Sequence, residues 1–162
     1  MSADKRRQEW ATPRAVFQQL HAEYGFTIDA AASPHNAQLP RYWTEYQDGL
    51  EQRWEGERVW CNPPYCEIDP WVERAITARD ANAGGMVAML LPARTDSRWF
   101  MRAVVAGVHL HWFRGRVSFI PAAGIRASSN AAASVLLVFD YLDHGDCVRD
   151  ARTGAVLHWS PR

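Results

Sequence analysis

Lysine is almost missing from this chain. Lys5 is the only lysine among 18 basic residues, and every other one is arginine. Arginine's planar fork suits phosphate and guanine contacts better than lysine's point charge, although gene base composition explains the bias at least as well. An excess of one charge sign is missing too, because 18 acidic residues balance the basic ones. That argues against a strongly basic nucleic-acid coat protein but leaves room for a local basic face. Cysteine is scarce and odd in number. Cys61, Cys66 and Cys147 show no paired spacing, so a disulfide framework is not expected and a reducing, cytoplasmic setting fits. Cys61 and Cys66 stand too far apart for a C-x-x-C knuckle, and the six histidines are scattered, so no metal is expected. No apolar run approaches the roughly 20 residues that cross a bilayer, and no membrane partner is expected. Residues 1–9 are polar and lack the apolar core of a secretory signal; they read as a flexible N-terminal arm. Internal repeats and low-complexity tracts are absent.

What remains is 162 residues with a hydrophobic fraction of 48%, enough for one compact core. Thr12-Pro13 reads as an N-cap followed by proline at the first helical position. Val16, Phe17, Leu20 and Tyr24 then recur at helical spacing until Gly25. Residues 26–29 form a short strand candidate. Residues 35–54 carry no sustained period, and a long irregular segment inside a compact domain is usually functional. Residues 58–61 form the next strand, and Asp69 with Pro70 opens a second helix. The continuous apolar run 86–91 predicts a parallel strand buried on both faces. A helix over 96–105 follows, then strands over 108–113 and 116–120 flanking Gly115, and a strand over 134–141. Residues 147–159 suggest a hairpin around Arg152-Thr153-Gly154. The alternation of strands and helices predicts a three-layer α/β fold with a mostly parallel sheet. The closing strands, with no clear helix between them, predict an antiparallel pair at one edge. The expected division is an arm over 1–9, one domain over 10–141 and a C-terminal tail over 142–162. Ligands of such sheets bind beyond the carboxyl ends of the strands, where Asp29 and Asn62 both fall.

The richest chemistry lies in Asn62-Pro63-Pro64-Tyr65, at the end of the strand over 58–61. An exocyclic amine of adenine or cytosine is a poor nucleophile because its lone pair is delocalised into the ring. Methylating it requires a more tetrahedral, cationic nitrogen, and acceptors on both N–H bonds favour that state over the ground state. Asn62 offers a side-chain carbonyl and Pro63 a backbone carbonyl. Pro63 and Pro64 have no N–H to give a sheet ladder, and residues before proline are held extended. Tyr65 offers a flat face for a base, worth about 1–3 kcal/mol. The structural alternative is that Pro-Pro merely punctuates a loop. Cytosine-C5 chemistry would use a thiolate from a Pro-Cys pair, but Cys66 follows Tyr65, so the cysteine reads as inert.

These residues fall among several others in a familiar order. Glu9-Trp10-Ala11-Thr12-Pro13 comes first, then Phe26-Thr27-Ile28-Asp29-Ala30-Ala31-Ala32 and Asp48-Gly49-Leu50. Trp60-Cys61-Asn62-Pro63-Pro64-Tyr65, Leu90-Leu91-Pro92-Ala93-Arg94-Thr95-Asp96, Trp99-Phe100 and Gly115-Arg116-Val117-Ser118-Phe119 follow. In this the chain resembles the phage-type DNA N-6-adenine methyltransferases, the Dam-like family, from Trp10 to about Tyr141. The resemblance implies a Rossmann-like methyltransferase fold, S-adenosylmethionine as cofactor, double-stranded DNA as partner and a phage or prophage origin in a bacterial cytoplasm. It implies a catalytic set of Asn62, Pro63, Pro64 and Tyr65. Asp29, Ala30 and Ala31 would border the methionine part of the cofactor, with Trp10, Thr12 and Pro13 beside it. Asp48 and Leu50 would flank its adenine, although Asp48 has an alternative role as the cap of its Asp-Gly turn. The chain departs from the pattern in having no glycine-rich loop and no clear acidic residue ending a second strand. It also carries Ser128-Ser129-Asn130-Ala131-Ala132-Ala133-Ser134 where members often have a Pro-Phe-Pro-Ser-like stretch.

Methylating a paired adenine requires flipping it from the duplex, so some residues must grip phosphates. Arg94, Arg98, Arg114, Arg116 and Arg126 lie on or near expected loops, and Arg94 and Arg116 are the expected DNA contacts. Sequence reading falls to residues 35–54 and the loops over 115–130, or to a second copy in a homodimer. RNA adenine and protein glutamine are the competing substrates, and a non-catalytic DNA-binding module is the competing class.

Overall fold

The computed structural model describes residues 10–81, 83–121, 132–142 and 145–160. The expected arm over 1–9, Arg126 and most of the stretch from Ser128 lie outside these. Helix α1 spans Arg14–Tyr24, β1 Ile28–Asp29, β2 Arg58–Cys61 and α2 Ile68–Asp80. Strand β3 spans Met86–Pro92, α3 Arg98–Val105, β4 His109–Arg114, β5 Ser134–Phe139, β6 Asp146–Asp150 and β7 Val156–Ser160. One seven-stranded sheet runs in the order β1-β2-β3-β5-β4-β6-β7.

The alternation of side chains along a strand divides the core into two. On β3, Val87, Met89 and Leu91 join Trp71, Val72, Trp99 and Phe100 of α2 and α3. Met86, Ala88 and Leu90 instead face Val16, Phe17 and Leu20 of α1. Helices therefore cover both faces, which is why β3 and β5 are buried at every position. No helix among the described residues is long and apolar enough to cross a membrane.

The sheet is mixed, which corrects the expectation of a mostly parallel one. β1–β2, β2–β3 and β4–β6 are parallel, while β3–β5, β4–β5 and β6–β7 are antiparallel. An antiparallel pair does close one edge, but it is β6–β7; the β4–β5 pair is interior. β5 inserts antiparallel between β3 and β4, and the hairpin of β6 and β7 extends the sheet beyond β4 through parallel pairing of His111 with Cys147. Residues 146–160 thus share the sheet with the rest of the chain.

Three local expectations also change. Residues 116–120 form no strand; only Ile120 makes a bridge, antiparallel to Ala11. The alternation there is real, because Val117 and Phe119 are buried. Alternation reports which side chains point inward, not whether a neighbouring strand is available. Pro13 itself holds the N-cap position of α1 in an extended conformation, and Thr12 caps nothing. α2 opens after Glu67, so Asp69 lies in its first turn instead of at its cap. Gly25 ends α1 in the left-handed region at φ 60°, as a C-terminal glycine does.

Candidate active site

β1 and β2 run side by side, with Asp29 opposite Trp60. Ala30 N–H donates to the Trp60 carbonyl at 2.9 Å. Asp29 and Asn62 therefore leave the same end of the sheet from neighbouring strands. Pro63 is buried, while Asn62, Pro64 and Tyr65 are half-buried. Glu67 N–H donates to Pro64 O at 3.3 Å and turns the chain into α2. No described residue donates a hydrogen bond to the Asn62 side-chain carbonyl or to Pro63 O. Two acceptors thus stand idle beyond a strand end, where sheet geometry leaves room for a ligand.

Tyr65 is held at both ends. Its hydroxyl donates to Leu90 O at 3.3 Å, and its ring meets Phe119 edge-on, with centroids 6.4 Å apart. Burial raises the hydroxyl's pKa, so it stays protonated. Phe119 precedes Ile120, whose N–H and carbonyl pair with those of Ala11 at 2.9 and 2.8 Å. The bridge brings the segment of Trp10, Thr12 and Pro13 to the Tyr65 side of the site. Trp10 Nε1 and the hydroxyl of Thr12 are both buried without a hydrogen-bond partner among the described residues. Unpaired buried donors of this kind are costly in water-free surroundings, and a ligand would satisfy them.

Asp29 is 3% exposed. Its carboxylate accepts from Gln38 N–H at 3.0 Å and, more weakly, from Ala31 N–H at 3.5 Å. Burial outweighs both donors and pushes its pKa up to about 6. Gln38 also gives its side-chain Nε2–H to Thr12 O at 3.0 Å. Gln38, absent from the sequence-based site, thus ties Asp29 to Thr12.

Asp48 and Leu50 lie on a loop that presses against Ala30. A Cβ on Gly49 would fall 2.1 Å from Ala30 O, and Trp54 Nε1 donates to Gly49 O at 2.7 Å. Asp48 adopts φ 50°, and its carboxylate accepts from Leu50 N–H at 3.1 Å. The turn-capping role is therefore the one its side chain performs here. Leu50 packs against the core on the α2 face. Arg94 is exposed in the turn after β3, at the same end as Asn62; Arg116 is exposed after β4.

A cavity of about 400 Å³ lies elsewhere, lined by Arg41, Trp43, Gln52, Arg53, Glu55 and Glu57. Neither Asn62 nor Asp29 lines it. Among the described residues no cluster of three or more His, Cys, Asp or Glu could hold a metal ion.

An α/β sheet carries two carbonyl acceptors after β2 that no described residue engages, and a buried carboxylate at the end of β1. The chain belongs to the DNA N-6-adenine-methyltransferase (Dam) family, whose model matches residues 2–148. It is 30% identical over 161 residues to the DNA N-6-adenine-methyltransferase of Escherichia phage T1, covering 88% of this chain and 67% of that protein. It is also 30% identical over 135 residues to the enzyme of the same name from Haemophilus phage HP1 (strain HP1c1), covering 81% of this chain and 78% of that protein.

Proposed function

We propose that the protein transfers a methyl group from S-adenosylmethionine to N6 of adenine in double-stranded DNA, with Asn62-Pro63-Pro64-Tyr65 as the catalytic segment of a Rossmann-like domain. The observation that carries this reading is the pair of unengaged carbonyls, on the Asn62 side chain and the Pro63 backbone. Each accepts one N–H of the adenine amine, drawing the nitrogen toward the tetrahedral, cationic state. Pro64 holds Pro63 extended, and neither proline has an N–H to give a ladder. Tyr65, anchored through its hydroxyl, offers its ring to the flipped base. No strong general base is needed, because a methylated, cationic amine is acidic.

The residues present fit the cofactor. S-adenosylmethionine supplies an electrophilic methyl group when bound. Trp10 Nε1 and the Thr12 hydroxyl, both buried and unpaired, donate to its polar groups. The Asp29 carboxylate attracts its cationic part, and the backbone from Ala30 to Ala31 borders it. Pro13, Asp48 and Leu50 complete the wall. Arg94 and Arg116 hold DNA phosphates.

Transfer of labelled methyl groups from S-adenosylmethionine to duplex DNA, followed by nucleoside analysis, tests the reading. N6-methyladenine is the expected product. Asn62→Ala removes one acceptor and should lower kcat by about 10²-fold or more, with cofactor affinity nearly unchanged. Label on cytosine or protein only, or an unimpaired Asn62→Ala, would overturn it.

A further inference from the structure

Arg149 lies one residue beyond the stretch matched by the family model, and its side chain is 0% exposed. All five of its N–H donors are used. Nη1 donates to Glu23 Oε2 at 2.9 Å and Gly154 O at 3.0 Å. Nη2 donates to Glu23 Oε1 at 2.7 Å and the Tyr24 hydroxyl at 3.1 Å. Nε donates to His111 Nδ1 at 3.0 Å. One side chain on β6 thereby joins the last turn of α1, the middle of β4 and its own hairpin turn. Burying such a pair is a poor way to gain stability, since apolar residues of the same shape serve as well. What the two-pronged contact supplies is orientation.

The hairpin holds α1 at a second point. Gly154, at φ 77°, lies so close that a Cβ there would approach Val16 O to 3.0 Å and Gln19 Cβ to 3.3 Å. α1 has no side-chain N-cap. Its first turn continues directly into Pro13, whose carbonyl accepts from Phe17 N–H at 3.1 Å. Thr12 and Trp10 follow with their unpaired buried donors.

We infer that the C-terminal hairpin is a brace for the cofactor site, with Arg149 as the positioning residue that fixes α1 and so sets the segment of Trp10, Thr12 and Pro13. The inference rests on the reading of that segment as cofactor-binding. It needs no contact between the hairpin and any ligand.

The double variant Glu23→Leu with Arg149→Met removes both charges and leaves no orphaned ion. Thermal melting checks that it folds cooperatively. Calorimetry with S-adenosylmethionine should then show about tenfold weaker binding or more, because small misplacements of positioning groups carry large penalties. KM for the cofactor should rise while kcat at saturation stays near the parent value. Amide exchange at Ala11, bonded to Ile120 O at 2.8 Å, should quicken in the ligand-free protein. If the double variant fails to fold, Gly154→Ala tests the hairpin's second hold on α1, since alanine is strained at φ 77° and its methyl pushes on Val16 O while the ion pair stays. A folded variant with parental affinity and parental Ala11 exchange overturns the inference and leaves the hairpin a structural edge. A parent protein that binds no S-adenosylmethionine would instead overturn the proposed function.

Discussion

Asp29 carries the least comfortable charge of the site, and its titration can be followed in two opposite directions. Its folded pKa of about 6 lies above the ordinary 3.8, because burial outweighs the N–H groups of Gln38 and Ala31. Between those values the folded protein binds more protons than the unfolded chain. Asp29's contribution to stability is therefore full below about pH 4 and lost as pH rises through about 6, amounting to about 3 kcal/mol at most. Asp29→Asn should abolish this slope, and denaturant midpoints at pH 4, 5.5 and 7 would reveal it; a slope equal to the parent's would contradict the assignment. A cationic cofactor responds with the reverse sign. Its affinity should fall as pH drops through about 6, when the carboxylate is neutralised, and that dependence should vanish in Asp29→Asn. At this scale the sequence was most legible where chemistry is local. Asn62 to Tyr65 announce their acceptors and rigid torsions by residue type alone. Gln38 and Gly49 were unreadable because their roles are contacts, one with Asp29 and Thr12 and the other with Ala30, which only the folded chain makes.

Among the elements, those packed on both faces were the most legible. β3 and β5 are uniformly buried, so hydrophobic runs mark them without ambiguity. Helix beginnings were read less well, since Thr12 and Asp69 have capping chemistry without the capping position. In α3 it is Ser97, one residue past the expected start, whose hydroxyl accepts from Phe100 N–H. The irregular stretch between β1 and β2 gave no period because it works through single contacts. Tyr42 adds one parallel bridge to Asp29, and Gly49 seats the Asp48 loop on Ala30. Gly49 has no positive φ, so close approach alone demands it. Gly49→Ala should lift the loop, lower stability by about 1–3 kcal/mol and weaken cofactor binding. Parental stability and calorimetry would show that the loop can yield without consequence.

Across the whole molecule, a net charge of zero hides a division. Arg41, Arg74, Arg79 and Arg102 pair with Glu57, Glu55, Asp80 and Glu73. Arg14, Arg94, Arg98 and Arg114 are exposed, and none has an ion pair among the described residues. The mixed topology gathers these four. α1 opens where β1 ends, α3 opens past the end of β3, and β4 runs parallel to β3 because each is antiparallel to β5. All four therefore lie at the end of the sheet that carries Asn62, where Asp96, exposed in the same turn as Arg94, offsets part of their charge. Sequence alone could place Arg94 after a strand but could not gather the others, since β5 enters between its neighbours out of chain order. Free cations around the proposed adenine site match a polyanion whose binding releases counterions. Arg94→Ala should weaken binding to duplexes of any sequence alike and reduce the slope of log affinity against log salt by about 1. Cofactor affinity should not change. A salt titration with an unaltered slope would remove Arg94 from the phosphate contacts, and a change confined to one DNA sequence would make it a reader of bases.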